Sequence, residues 1–107
     1  MKIILNDYIP FKGYKLMTVY PFLFVRRGTA YTAFDINHEE IHARQQKELL
    51  LVGFYVWYVL EWLVRLCVYR NAHKAYRNIS FEREAYANEC YNWYISERRM
   101  FNFLNYI

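Results

Sequence analysis

The sequence predicts an α+β fold in which short N-terminal antiparallel strands or a hairpin precede a helical core. Three observations carry this. Residues 1–34 are rich in β-branched and aromatic side chains, and they hold both prolines and two of the three glycines. From residue 35 onward there is no proline and only Gly53, so little in the local sequence interrupts a helix. Apolar residues in that second part recur at helical spacing, as Met100, Phe101, Leu104 and Ile107 do near the end. A chain of 107 residues is expected as one domain, 1–107, because a second would leave neither half enough core.

Ile3-Ile4-Leu5 reads as a short strand, and Tyr8 to Gly13 as a turn punctuated by Pro10 and Gly13. Leu16 to Arg26 has strand composition, but Pro21 cannot donate to a ladder, so it makes the run an edge strand or splits it in two. Arg27-Gly28 marks a turn, after which Thr29 to Phe34 reads as a returning hairpin strand. Asp35 or Asn37 can cap the first helix, and Asn37 with Glu40 has capping-box spacing. Read literally, one helix runs from residue 37 to Arg70, about 50 Å at 1.5 Å per residue. A domain of this size has a radius of gyration of about 13 Å and spans roughly 30–35 Å. The helix is therefore expected to break, with Gly53 the favoured point, or to project from the domain. A second helix is expected from Asn78 or Ser80 with Glu82 in its first turns, and Glu97 to Ile107 as a short amphipathic helix.

A hydrophobic fraction of 56% and an aromatic fraction of 21% exclude disorder. They also exceed what so small a core consumes, which points to a partner or a membrane surface. The net charge is +4, but Lys and Arg are scattered, with adjacent pairs only at Arg26-Arg27 and Arg98-Arg99. A nucleic-acid interface needs denser clustering, so none is expected. The same charge suits an anionic lipid surface. Cys67 and Cys90 form neither a disulfide framework nor a CxxC metal site and read as small hydrophobes. The apolar run Met1 to Leu5 is cut short by Asn6-Asp7, so no secretory leader is expected and the cytoplasm is the default compartment.

His38-Glu39-Glu40-Ile41-His42 is an HExxH sequence. Residues four apart on a helix share a face, so both imidazoles can reach one metal ion. Zinc then needs a third protein ligand, and a catalytic site keeps a fourth position open for water. Glu39, rotated one residue away, can accept a proton from that water as general base. With three His and eight Glu in the chain, the motif arises by chance roughly once in two hundred such sequences. The competing reading is a pair of surface histidines beside solvated glutamates.

His38–His42 followed, after the 39 residues 43–81, by Glu82-Arg83-Glu84-Ala85 resembles the gluzincin metallopeptidases, in which a glutamate on a downstream helix completes the zinc site. His38 to Gln46 also resembles the HExxH-x-x-QQ helix of minimal gluzincin domains of about this length, a small bacterial family. The resemblance spans residues from about 20 to 90, with only the two motifs specific. It implies a zincin-like core of active-site helix and glutamate helix, with His38, His42 and Glu82 as zinc ligands and Glu39 as the catalytic base. The family's pattern is E-x-x-A-D, but Tyr86 stands where its histidine-orienting aspartate would be. Glu89 is a candidate substitute, and Glu84 is a rival ligand if the register shifts. Small family members that resemble zymogens imply a latent form, with Met100 to Ile107 lying in the cleft.

Lesser candidates are His73 as third ligand or oxyanion stabiliser, and Tyr69, Tyr76 and Tyr86 as oxyanion donors. Phe22 to Val25 could be the edge strand that holds an extended peptide by β-addition. Leu49 to Leu60 carries no charge, and beyond it Glu61 and Arg65 have the i, i+4 spacing of a pair. Twelve residues are too few to span a bilayer. For 49–69 the first expectation is a central core helix, then a homodimer or partner interface, then membrane attachment. The functional expectation is a zinc metallopeptidase acting on a peptide or protein. The alternatives are an inactive interaction protein that kept the motif, and a membrane-associated or dimeric module in which HExxH is incidental.

Overall fold

The computed structural model describes residues 2–9 and 15–107. Three strands, β1 (Lys2–Asn6), β2 (Leu16–Val19) and β3 (Phe22–Arg26), precede five helices: α1 (Ala33–Glu48), α2 (Val52–Tyr69), α3 (Ala72–Arg77), α4 (Ser80–Asn88) and α5 (Tyr94–Glu97). A short 3-10 helix, Asn102–Tyr106, follows. This is the expected α+β arrangement, strands first and helices after. The radius of gyration is 13.6 Å and the extents are 36 × 32 × 25 Å.

Pro21 divides the strand run in two. It follows Tyr20 through a cis peptide bond, in the turn between β2 and β3. Those two pair antiparallel, while β1 adds to β3 in parallel, so the sheet is mixed, in the order β1-β3-β2. The turn read at Tyr8 to Gly13 lies in part outside the described residues.

Thr29 to Phe34 is not a strand. Thr32 is the N-cap of α1: its hydroxyl accepts from the Asp35 amide, and the Asp35 carboxylate accepts from the Thr32 amide. This reciprocal box starts the helix earlier than expected, with Asp35 inside it rather than capping it. The Thr32 backbone N–H, the largest cause, lowers the Asp35 pKa. Asn37 also lies within α1, and its amide donates to the carbonyls of Glu89 and Tyr91 at 2.8 and 2.9 Å.

The long helix does break, but at Leu49–Leu51 rather than Gly53, which sits inside α2. Leu50 and Leu51 have φ of 57° and 64°, a conformation that costs an L side chain on the order of 1–3 kcal/mol each. Tertiary packing offsets that strain. The turn sets α2 against α1; left-handed Arg70 then ends α2, and α3 returns the chain to α4, so that Phe54 joins Ile79, Phe81 and Phe103 in the core, with Leu49, Trp57, Tyr58 and Trp62 packed around them. Phe81 is fully buried, its ring 4.5 Å from Phe54 and 4.6 Å from Phe103.

Glu61 has a specific task in an otherwise apolar helix. Its carboxylate accepts from the Ser80 backbone N–H and from the Ser80 hydroxyl, both at 2.6 Å. Ile79, the N-cap of α4, offers no side-chain bond, so α2 caps α4 from outside and places a negative charge at its positive end. Arg65 lies 3.7 Å from Glu61 in the anticipated i, i+4 pair.

The expectation that 49–69 is a central core helix is overturned. In α2 only Phe54 is buried, because one helical face packs on α3 and α4 and, among the described residues, none covers the other. The tail likewise stays out of the cleft: Phe103 is buried against Phe81 and Trp57, and none of residues 100–107 lines the cavity.

Phe81→Ala removes the centre of this cluster and should lower unfolding free energy by about 3–5 kcal/mol. Denaturant titration followed by tryptophan fluorescence would read this as a lower midpoint; an unchanged midpoint would show that the cluster does not hold the helices together.

Candidate metal centre

The i, i+4 spacing in α1 puts His38 and His42 on one face, and that face packs against α4 where Glu82 projects. All three residues are buried. His38 Nε2 lies 3.2 Å from Glu82 Oε1, His42 Nε2 lies 3.1 Å from the same oxygen, and the two Nε2 atoms are 3.1 Å apart. His38, His42 and Glu82 therefore form a buried group that could hold a metal ion. Ligands of a tetrahedral ion bound at 2.0–2.1 Å stand about 3.3 Å from one another, close to these separations.

The other ring nitrogens decide what the inward ones offer. His38 Nδ1 is 2.8 Å from Glu89 Oε2, and His42 Nδ1 is 2.8 Å from Gln45 Oε1. A carboxylate oxygen and an amide oxygen both accept, so each Nδ1 carries its proton, and a neutral ring then turns an unprotonated Nε2 inward. Two imidazole lone pairs and a carboxylate oxygen aimed at one point require positive charge there. Without a metal, a proton supplies it. Burial lowers the pKa of His42, but the charge and hydrogen bond of Glu82, aided by Glu39, prevail and push it up to about 9. Burial raises that of Glu82, but the two imidazoles prevail and hold it well below the usual carboxylate range. With His42 raised above its ordinary value of 6.5, metal-free protein has this stabilisation in full below about pH 6.5 and loses it as pH climbs through about 9.

A second layer fixes the ligands. Tyr58 donates to Glu82 Oε2 at 2.8 Å, leaving Oε1 to the centre. Gln45 Nε2 donates to Glu84 Oε1 at 2.9 Å and to the Phe81 carbonyl at 3.1 Å, which aims its oxygen at His42. Glu84, fully buried, is bound by Arg98 and by the Tyr94 hydroxyl, and Arg98 also bridges to both oxygens of Glu48. Burial, with the hydrogen bond to Glu84, raises the Tyr94 pKa, so its hydroxyl stays a donor. Glu84 thus serves the centre through Gln45, not as the rival ligand.

Glu89 stands where a substitute for the missing aspartate was sought. Tyr86 instead packs its ring edge-on against His38 with centroids 4.5 Å apart, while its hydroxyl meets that of Tyr76 at 3.2 Å. Glu39 is buried beside the histidines with Oε2 2.8 Å from the Thr18 hydroxyl of β2. Desolvation raises its pKa, against the pull of His42 and His38.

The group opens into a cavity of about 610 Å³ whose walls include Leu16 and Met17 of β2, Tyr55, Tyr58 and Val59 of α2, and Tyr76. His73 lines it too but lies outside the three-residue group, and Tyr69 and Tyr86 are not among its walls. Phe22 to Val25 cannot act as an edge strand, because β3 is central and paired on both sides. The outer edge along the cavity belongs to β2, where Gln46 and Tyr55 hold the Thr18 carbonyl at 2.7 and 3.0 Å. Thr18, Gln45, Tyr58 and Arg98 were not foreseen in these roles. Gln45, three residues past His42 on the same helix, was the one with a local signal. Comparison with protein-family models, with curated proteins and with solved structures returned no match.

Glu89→Gln removes charge from behind His38 and should weaken metal affinity about tenfold to a hundredfold, measured by competition with a chromophoric chelator. Arg98→Met leaves Glu84 and Glu48 as uncompensated buried carboxylates and should cost about 3–5 kcal/mol of stability in a denaturant titration.

Proposed function

We propose that this chain is a minimal zinc-dependent peptidase, with His38, His42 and Glu82 as ligands and Glu39 as general base. The observation that carries the proposal is the convergence of two Nε2 atoms and one carboxylate oxygen within 3.2 Å, their outer atoms fixed elsewhere, beside a buried carboxylate in an open cavity. Two imidazoles and one carboxylate form the donor set of hydrolytic zinc sites, and thiolates, which would favour other metals, are absent from the group. Bound there, zinc would act as a Lewis acid on a substrate carbonyl and would lower the pKa of water in the position that three protein ligands leave open.

The remaining work falls to side chains. Thr18 orients Glu39 from one side, and burial raises the carboxylate's affinity for a proton. A base tuned upward in this way takes a proton from water near neutral pH and returns it to a leaving amine. An extended peptide fits along β2, where the main chain of Leu16 and Thr18 faces away from β3 into the cavity and can pair with a strand. Because the Thr18 carbonyl is already engaged, such pairing runs toward Leu16.

Zinc per chain, measured by elemental analysis, is expected near one equivalent in the wild type and none in His38→Ala/His42→Ala. Absence of zinc from both, even after the metal is added back, would reject the site. Glu39→Gln should retain the metal and lose hydrolysis of a peptide library; hydrolysis that persists in this variant would reject the mechanism.

A further inference from the structure

The face of α2 opposite its core contacts is a continuous apolar surface. Val52, Val56, Leu60, Leu63, Val64 and Val68 each leave 46–72% of their area exposed. At 100° per residue they fall within one half of the helix surface, along about 24 Å of axis. The helix is long and apolar enough to cross a membrane. Its other face is committed to protein, however, through Phe54 in the core, Tyr58 on Glu82 and Glu61 on Ser80. A helix fastened along one side in this way is suited to lie in a surface rather than to thread it.

Charge identifies the surface. Between Glu61 and Glu82 there is no acidic residue, while Arg65, Arg70, Lys74 and Arg77 supply four cations. Arg70 and Lys74 are exposed at the end of α2 and on α3, whereas the Arg77 guanidinium is stacked on the Tyr86 ring, 3.6 Å from its centroid; Trp62 Nε1 ties α2 and α3 together by donating to the Ala72 carbonyl at 3.2 Å. An apolar face with a basic end matches acyl chains bordered by phosphates. A second copy is a poorer match. Glu48, near the opposite end of the helix, is already bound by Arg98, so an antiparallel partner brings no free carboxylate to the basic end.

We propose that α2 lies in the interface of an anionic lipid bilayer, its outer apolar face among the acyl chains and Arg70 and Lys74 among the phosphates. The cavity then opens beside the bilayer surface, and the substrates within its reach are peptide segments at that surface.

The test is co-sedimentation of the full chain with vesicles of mixed phosphatidylcholine and phosphatidylglycerol, a readout that needs neither zinc nor turnover. The wild type should bind. Val56→Gln/Leu60→Gln/Val64→Gln, checked for helix content by circular dichroism, should bind at least about a hundredfold more weakly, since each change removes an apolar side chain from the acyl region. Arg70→Gln/Lys74→Gln should lose about twenty-five-fold on the mixed vesicles and little on phosphatidylcholine alone, at roughly fivefold per charge. Vesicle binding unaffected by the face variant would overturn the proposal. So would a wild type that ignores vesicles, whether as a monomer or as a dimer that the face variant dissociates; the dimer would make the face a contact between copies.

Discussion

The structure is organised around the need for positive charge at one buried point. His38 Nε2, His42 Nε2 and Glu82 Oε1 face one another at little more than 3 Å, and none of the three is a donor when the rings are neutral. Such a cluster is unfavourable out of water unless a proton or a metal ion sits within it. The surrounding bonds hold the three atoms against their repulsion. Glu89 and Gln45 occupy the outer ring nitrogens, Tyr58 occupies the outer carboxylate oxygen, and Glu84 with Arg98 anchors Gln45. Loosening any of them lets a ring turn and spreads the donor set.

The two halves of this arrangement differ. Behind His38 stands a carboxylate, partly open to solvent. Behind His42 stands a neutral amide, connected to a carboxylate one step further away that is itself neutralised by Arg98. The second chain of groups is the better buried, and it draws on α1, α4, α5 and the tail. The segment after α4 therefore contributes to the centre from outside, through Arg98 and Tyr94, even though no part of it lines the cleft.

Apolar packing sets where these polar groups can meet. Phe54, Ile79, Phe81 and Phe103 bind α2, α4 and the tail into one unit, and the Glu61 cap fixes the start of α4 one residue before Phe81 and two before Glu82. The left-handed residues at Leu50 and Leu51 are the strained link that turns the chain from α1 into α2. Left-handed Arg70 and α3 then return it to α4, which brings Glu82 to Tyr58 and leaves the other face of α2 exposed.

Much of the centre was legible in the sequence because it depends on local geometry. A four-residue spacing on a helix puts His38 and His42 on one face whatever the remainder of the chain does, and Glu39 must follow one residue round. The strand-then-helix order followed from where proline and glycine stop. Boundaries were less secure: the Thr32–Asp35 box was hidden in a stretch with strand composition, and Gly53 marked no break.

What tertiary structure alone decided is which distant groups meet. No local rule sends Tyr58 to Glu82, Arg98 to Glu84, or Glu61 to the head of α4, because each of those contacts joins separate elements 14 to 24 residues apart in the chain. Nor could composition say which face of an evenly apolar helix would find cover. The sequence by itself determined the two histidines, the carboxylate beside them and the class of fold, since these need only local periodicity and the placing of proline and glycine. The meeting of Glu82 with the two histidines, the edge strand along the cavity and the bare face of α2 were decided by long-range packing, where a strained turn was tolerated because four aromatic and aliphatic side chains could be buried together.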